Sequence, residues 1–220
     1  MPAQLQAVLF DLDGTLVDSA PDLAGTANDM RVMRGRPVLP YEALRCHAGS
    51  GARGMLGAAF EMKPDAAGYA ELRDEFHALY AARLLRHTRC FEATQWVLQA
   101  LDERQIAWGI VTNKAMHFAA PLVQALGLSR CAVLVAGDST PHTKPHPAPL
   151  LEAARRLALP PESCVYVGDD ERDVIAGRAA GMRTLAAAWG YLGAGQDPHT
   201  WGAEAVLPDA DALLQWLELP

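Results

Sequence analysis

The stretch Ala7-Val8-Leu9-Phe10-Asp11-Leu12-Asp13-Gly14-Thr15 carries the strongest signal in the sequence. Its first four residues form a continuous apolar run, which is typical of a strand buried on both faces of a parallel sheet. The run stops at two carboxylates, Asp11 and Asp13. Ligands of doubly wound α/β sheets bind beyond the carboxyl ends of the strands. Both carboxylates are therefore expected to face one small site, and Gly14 allows the chain to turn sharply beside it.

The same kind of apolar run recurs along the chain and predicts the fold class. Further strands are predicted at 106–111, 131–135, 165–167 and 184–188. Patterns of helical period lie between them, at 96–104, 118–126, 149–157 and 172–180. Strand alternating with helix predicts right-handed crossovers and a doubly wound, mainly parallel sheet, an α/β fold of the Rossmann-like type.

The segment 20–86 interrupts this alternation. It has no convincing strand, and its apolar residues recur at helical spacing. We therefore predict an all-helical cap domain inserted after the first strand. The expected division is a catalytic core formed by 1–17 and 88–220, and a helical cap formed by 18–87.

Composition narrows the classes of function. The chain has 220 residues, half of them hydrophobic, so it can bury a real core. Its 19 basic and 26 acidic residues give a formal charge of −7, which argues against nucleic acid or an anionic membrane as partner. The start of the chain has no basic and apolar signal-peptide pattern, and the four cysteines lack zinc-site spacing. We expect a cytoplasmic protein with reduced cysteines, either a monomer or a weak homodimer.

Two further motifs place polar side chains at strand ends or in loops. Val111-Thr112-Asn113-Lys114 closes the strand predicted at 106–111. The hydroxyl of Thr112 and the amide of Asn113 are uncharged donors for phosphate oxygens. Lys144, in Thr143-Lys144-Pro145-His146-Pro147, can bring a point charge to a phosphoryl group.

An acidic motif, Gly168-Asp169-Asp170-Glu171-Arg172-Asp173, follows the strand predicted at 165–167. The dipole favours acidic residues in the first turn of a helix, which is the simplest explanation of this motif. Together with Asp11 and Asp13, however, these acids predict a site for a hard cation. Magnesium prefers a few carboxylates together with water and substrate phosphate.

These four motifs, in this order, resemble those of the haloacid-dehalogenase superfamily of phosphohydrolases, and the resemblance covers nearly the whole chain. Within the superfamily, the sequence is similar to the phosphoglycolate-phosphatase-like group. Residues 49–53, residues 168–173 together with 176–177, and residues 189–191 are also similar to the bacterial N-acetylmuramic acid 6-phosphate phosphatases of that group.

The resemblance implies a magnesium-dependent phosphomonoester hydrolase that forms an aspartyl-phosphate intermediate. It implies that Asp11 is the nucleophile and that Asp13 is the general acid and base. It also implies that Asp173 orients Lys144 or a water on the metal, whereas Asp170 lies behind the site or is exposed. The implied ligands are Thr112, Asn113 and Lys144 for phosphate, and Asp11, the backbone carbonyl of Asp13 and Asp169 for magnesium.

The cap is expected to select the substrate, a small phosphorylated metabolite. Ser50 and Gly51 stand at a predicted helix start, where free backbone N–H groups can bind an anion. Arg53 could bind a carboxylate through its two-pronged guanidinium. Both 2-phosphoglycolate and N-acetylmuramic acid 6-phosphate carry a carboxylate, so Arg53 does not choose between them.

Other functions stay open on the sequence. A sugar phosphomutase of the same fold would have all four motifs and would differ in its cap. A haloacid dehalogenase, a phospho-accepting signalling domain and an inactive binding protein are disfavoured. The reason is that the chain has the second acid, Asp13, together with Lys144 and Asp169.

Overall fold

A computed structural model describes residues 5–193 and 195–218. In chain order its elements are β1 (Ala7–Phe10), β2 (Val17–Asp18), α1 (Ala20–Met33), α2 (Tyr41–Arg45), α3 (Gly51–Phe60), α4 (Tyr69–Arg83), β3 (Arg89–Cys90), α5 (Glu92–Glu103), β4 (Ala107–Val111), α6 (Met116–Ala125), β5 (Val133–Val135), α7 (Ala148–Leu157), β6 (Cys164–Gly168), α8 (Glu171–Ala179), β7 (Arg183–Ala187), β8 (Ala205–Leu207) and α9 (Asp211–Trp216).

The main sheet is six-stranded and parallel, with the order β5-β4-β1-β6-β7-β8. Alternate residues of β1 point to opposite faces of the sheet. Val8 and Phe10 belong to one apolar cluster, which includes α5 and α6, and Ala7 and Leu9 belong to another, which includes α7. Helices therefore cover both faces, and the predicted doubly wound α/β class is confirmed.

The order of the strands assembles the motifs. β1 lies between β4 and β6, with Ala7 aligned to both Ala107 and Cys164. Asp11 and Thr112 directly follow β1 and β4, and Asp169 directly follows β6. Because the three strands are parallel neighbours, these residues meet at one edge of the sheet.

The helices α1 to α4 lie between β2 and β3. These two short strands pair antiparallel, with Val17 opposite Cys90 and Asp18 opposite Arg89, where the chain leaves and re-enters the core. Helix α1 packs against each of the other three helices, and the insertion is helical as predicted. The exact division at 18–87 stays a prediction.

Some elements gave no signal in the sequence. Strands β2 and β3 have two residues each, and β8 has three, of which only Leu207 is buried. Such short, half-exposed strands do not form a continuous apolar run. The predicted strand at 131–135 is shorter than expected and begins at Val133. Among the described residues, no helix has the length and apolarity that a membrane span requires.

Candidate active site

The turn after β1 holds the two carboxylates of the first motif. The backbone N–H of Asp11 donates to the carbonyl of Val167 at 2.9 Å, which continues the sheet one residue beyond β1. Gly14 follows with φ +89°, and a Cβ atom there would lie 2.1 Å from Asp169 Oδ2. Glycine is thus required both for the left-handed turn and for the close approach of the motif to Asp169.

Three carboxylates form an acidic cluster at this edge. Ligand atoms of Asp11, Asp169 and Asp173 all lie within 4.8 Å of one another. Asp169 is buried and accepts hydrogen bonds from Thr15 Oγ1 at 2.9 Å and from the Tyr191 amide at 2.7 Å. Burial, and then the charges of Asp11 and Asp173, raise the pKa of Asp169 well above its usual value. A divalent cation would relieve this mutual repulsion.

Lys144 is the buried cation beside this cluster. Its ammonium lies 2.8 Å from Asp11 Oδ1 and 2.8 Å from Asp173 Oδ1, and it donates to Tyr166 Oη and the Val111 carbonyl. Burial alone would lower the pKa of Lys144, but the two carboxylates outweigh it and raise this pKa. Burial raises the pKa of Asp173 to about 6, with Lys144 opposing this rise. The contact with the Lys144 ammonium places Asp173 to orient this lysine, which is one of the two roles that the resemblance implies, and the role stays a prediction.

Asn113 fastens the loop that carries Lys144. Its amide nitrogen donates to the Lys144 carbonyl at 3.0 Å, and its amide oxygen accepts from the Lys144 N–H at 2.9 Å. Thr112 is buried, and its hydroxyl accepts from the Lys114 N–H at 3.1 Å. Both residues line the active-site cavity. Asn113 positions Lys144 in this structure, and phosphate binding by either residue stays a prediction.

Asp13 lies outside the acidic cluster and pairs with a different cation. Its carboxylate oxygens accept from Lys114 Nζ at 2.9 and 3.1 Å, and Ser19 Oγ donates to Oδ1. Burial opposes the charge of Lys114, but Asp13 and Tyr80 outweigh it and raise the pKa of this lysine. The motifs alone predict no role for Lys114. The feature of the sequence that could have indicated a role is its position directly after Thr112 and Asn113.

Asp170 and Arg172 link the acidic motif to the helical insertion. Asp170 caps α8: its side chain accepts from the Arg172 N–H, and the Asp173 side chain accepts from the Asp170 N–H. Two guanidinium nitrogens of Arg172 hold the Asp170 carboxylate at 2.7 Å. Arg172 Nη2 also donates to the carbonyl of Gly49 at 2.8 Å. Asp170 is therefore a helix cap that orients Arg172, a residue that the sequence analysis left without a role.

A cavity of about 250 Å³ lies between the sheet edge and the insertion. Asp11 and Asp13 line it from the core side, and Ser50 and Gly51 line it at the start of α3. Its remaining walls are Leu23, Ala48, Gly49, Ala52, Phe76, His77, Tyr80, Thr112, Asn113, Lys114, Ala115, Phe118 and Arg172. Arg53, the predicted carboxylate ligand, is exposed and is not among these residues. The arginine that reaches the cavity is Arg172.

The acidic cluster fits a hard divalent cation. Its donors are carboxylate oxygens, the ligands that Mg²⁺ and Ca²⁺ prefer, and there is no histidine or thiolate among them. Asp11 and Asp169 are the predicted carboxylate ligands and both belong to the cluster. Asp173 belongs to it as well, whereas the predicted contribution of the Asp13 carbonyl stays a prediction.

Comparison with known proteins agrees with this geometry. The family model described as haloacid dehalogenase-like hydrolase matches residues 8–187. The chain belongs to this family. A phosphoglycolate phosphatase from Xanthomonas campestris pv. campestris is 46% identical over 203 residues, which cover 92% of this chain and 91% of the relative. An N-acetylmuramic acid 6-phosphate phosphatase from Pseudomonas putida is 42% identical over 205 residues, which cover 93% and 92%.

A solved structure gives the same result for the haloacid dehalogenase-like fold. It is described as a predicted phosphoglycolate phosphatase from Haemophilus somnus 129PT and superposes with a TM-score of 0.86 at 26% identity. The match covers 98% of this chain and 99% of that one. With the curated relatives, this establishes the protein as a phosphoric monoester hydrolase of the family.

Proposed function

We propose that the protein is a Mg²⁺-dependent phosphomonoesterase that transfers the phosphoryl group first to Asp11 and then to water. The preferred candidate substrate is 2-phosphoglycolate. The observation that supports this most directly is the position of Asp11. It lies in the acidic cluster, 2.8 Å from the Lys144 ammonium, and lines the cavity. A carboxylate in this position can attack a phosphorus atom while a cation stabilises the transferred charge.

The proposed reaction has two displacements. In the first, a carboxylate oxygen of Asp11 attacks phosphorus, the bond from phosphorus to the ester oxygen breaks, and Asp13 gives a proton to that oxygen. In the second, water attacks phosphorus, Asp13 takes the proton from this water, and the bond to Asp11 breaks to release inorganic phosphate. Lys144 stabilises charge on the phosphoryl oxygens in both steps.

Magnesium would be held by Asp11 and Asp169, with Asp173 behind them. It would offset the repulsion between these carboxylates and the phosphate group. Asp173 and Asn113 hold Lys144 from two sides, through its ammonium and its backbone. The position of the lysine is therefore set before substrate arrives, and this preorganisation favours the transition state.

The cavity supports a compact substrate. Its volume of about 250 Å³ lies below the roughly 300–1,000 Å³ usual for drug-sized ligands. A two-carbon acid phosphate suits this space, whereas N-acetylmuramic acid 6-phosphate requires a wider opening. Both esters remain candidates, because curated relatives with each activity match more than nine-tenths of the chain.

We also propose that the insertion, taken as 18–87, acts as a cap that opens to admit substrate. The contact between Arg172 and the Gly49 carbonyl joins core and cap across the cavity. Closure would exclude water from Asp11 during the first displacement. Cytoplasmic location and a monomeric or weakly dimeric state complete the proposal as predictions.

The test is Mg²⁺-dependent phosphate release from 2-phosphoglycolate and N-acetylmuramic acid 6-phosphate, measured side by side. A preference of about a hundredfold in kcat/KM, or ~2.7 kcal/mol, identifies the substrate. Preference for the sugar phosphate would replace our first candidate with the second. Activity on an aryl phosphate alone would support the chemistry and contradict both substrates. Interconversion of sugar phosphates without net phosphate release would favour the phosphomutase alternative.

A further inference from the structure

Lys114 places a second buried cation in the active site. Its side chain is 7% exposed, and its ammonium lies between Asp13 and the face of the Tyr80 ring, 5.0 Å from the ring centroid. Lys144 stands with Asp11 and Asp173, where the phosphoryl group is proposed to bind. Lys114 stands instead beside Asp13, the proposed donor to the ester oxygen. Lys114 is therefore on the side of the leaving group.

Tyr80, on α4, has a buried hydroxyl at the same place. The residue is 2% exposed and lines the cavity, and its hydroxyl makes no hydrogen bond of normal length among the described residues. The Lys114 side chain is close enough to oppose the rise that burial causes in the pKa of Tyr80. Burial of a hydroxyl without a hydrogen bond is unfavourable. An acceptor atom of a bound ligand would remove this cost.

The two arginines considered for carboxylate binding are less suitable, because one is already ion-paired and the other lies outside the cavity. Both prongs of Arg172 are held by Asp170, and one of them also binds the Gly49 carbonyl. Arg53, to which the sequence assigned carboxylate binding, is exposed and outside the cavity. Phe76 and Phe118 pack against the Tyr80 ring, and His77 lines the cavity beside them.

We propose that Lys114 and Tyr80 together bind a carboxylate carried by the leaving group, and so select acidic phosphate esters. The carboxylate would accept from the Lys114 ammonium, which now faces Asp13, and from the Tyr80 hydroxyl. One residue belongs to the core and the other to the helical insertion, so both donors converge only when α4 lies over the sheet edge. This inference rests on the proposed phosphomonoesterase function and assigns the residues that determine its specificity.

The experiment compares 2-phosphoglycolate with 2-hydroxyethyl phosphate, which has nearly the same size but a neutral hydroxymethyl group in place of the carboxylate. Charge-assisted hydrogen bonds predict that the wild type prefers phosphoglycolate by about 30-fold or more in kcat/KM. Lys114→Met should reduce this ratio to about threefold or less, and Lys114→Arg should restore part of it. Tyr80→Phe should reduce the ratio by about fivefold, through KM for phosphoglycolate.

The matched controls are Lys63→Met, which removes an exposed lysine of the insertion, and Arg53→Met, which removes the earlier candidate. Both should keep the wild-type ratio. Melting temperatures show whether each variant is folded. If Lys114→Met does not fold, Tyr80→Phe decides the question, because it removes only a hydroxyl that makes no hydrogen bond of normal length among the described residues.

Four outcomes would overturn the inference. Equal loss on both esters in Lys114→Met, with an unchanged ratio in Tyr80→Phe, would show that Lys114 acts only through Asp13. Loss of the preference for phosphoglycolate in Arg53→Met would show that Arg53 binds the carboxylate. Equal wild-type activity on both esters would show that no carboxylate is recognised, although the phosphatase function would stand. Release of phosphate from neither ester would instead reject the proposed substrate class, and this inference with it.

Discussion

The backbone N–H of Tyr191 donates to Asp169 Oδ2 at 2.7 Å, so the residue that supports a proposed metal ligand also reaches the start of the helical insertion. Its phenol oxygen accepts from the N–H groups of Ser19 and Ala20 at 2.7 and 2.9 Å and donates to Asp18 Oδ1. Ser19, at the N-cap of α1, makes no side-chain capping bond. The phenol of Tyr191, which is distant in the chain, caps the start of α1 instead.

Tyr191→Phe is therefore expected to destabilise the protein. Two buried N–H groups would lose their acceptor, and each loss costs about 1–3 kcal/mol in the free energy of unfolding. Tyr80→Phe is the matched control: the hydroxyl it removes makes no hydrogen bond of normal length among the described residues and interacts mainly with the Lys114 side chain, so its effect should be smaller, at most about 1 kcal/mol. Urea unfolding followed by circular dichroism measures both. Equal stabilities of the two variants would show that the phenol does not cap α1.

Asp22 fixes the second crossing between the insertion and the core. It is fully buried, and its Oδ2 accepts from the His87 N–H, the Thr88 N–H and Thr88 Oγ1, each at 2.8 Å. Asp22→Ala should lower the free energy of unfolding by at least about 3 kcal/mol, because each buried donor without a partner costs about 1–3 kcal/mol.

The control for Asp22→Ala is Asp29→Ala. Both carboxylates pair with Arg83, but the Asp29 side chain is 56% exposed. Its loss should cost no more than about 1 kcal/mol, as for other surface ion pairs. Thermal or urea unfolding of the two variants tests the contrast. A small effect of Asp22→Ala would mean that water replaces its carboxylate at this crossing.

Magnesium should stabilise the fold itself. A ligand that binds only the native state at about 100 times its Kd adds about 2.7 kcal/mol, and this appears as a higher Tm. Asp169→Asn should lose most of this rise, since it removes a ligand from the acidic cluster. Without magnesium it should be no less stable than the wild type, because burial and the charges of Asp11 and Asp173 oppose ionisation of Asp169. The exposed substitution Asp65→Asn should leave the magnesium response unchanged. An unchanged response in Asp169→Asn would contradict the proposed site.

Substitution of Asp11 and substitution of Asp13 should have different kinetic effects. With an aryl phosphate, whose leaving group needs no acid, Asp13→Asn should release about one equivalent of phenol in a burst and then turn over about 10²–10⁴-fold more slowly. Asp11→Asn should show no burst, because no phosphoryl-enzyme can form. Rapid-mixing absorbance measures both, and circular dichroism checks the fold. A burst in Asp11→Asn would exclude Asp11 as the nucleophile.

Much of the architecture could be predicted from the sequence, because apolar strand runs and the helical repeat of apolar residues are both local patterns. Short apolar runs alternate with helical patterns, and this was enough for the parallel sheet and for a helical insertion. Strands β2, β3 and β8 were missed, since two or three half-exposed residues pair only through tertiary contacts. The motifs were found because each directly follows a strand or lies in a loop at the same sheet edge.

Contacts between side chains far apart in the chain could not be predicted from the sequence. Lys114 and Asp13 are 101 residues apart, and Tyr191 and Ser19 are 172 apart, yet each pair is in contact. Asn113 is predicted to bind phosphate through its side chain, and the tertiary structure adds that this side chain holds the backbone of Lys144. Arg53 was expected in the cavity, but the helical turn of α3 carries it to the surface, and Arg172 takes the inner position.

The sequence alone determined the order of strands and helices and the types of reactive group at the sheet edge, because hydrophobic periodicity and motif chemistry are local. Only the tertiary structure decided which cation pairs with which carboxylate, and which residues of the insertion line the site. Those choices depend on distances between groups far apart in the chain, and in a buried site such distances govern the strength of every charge interaction.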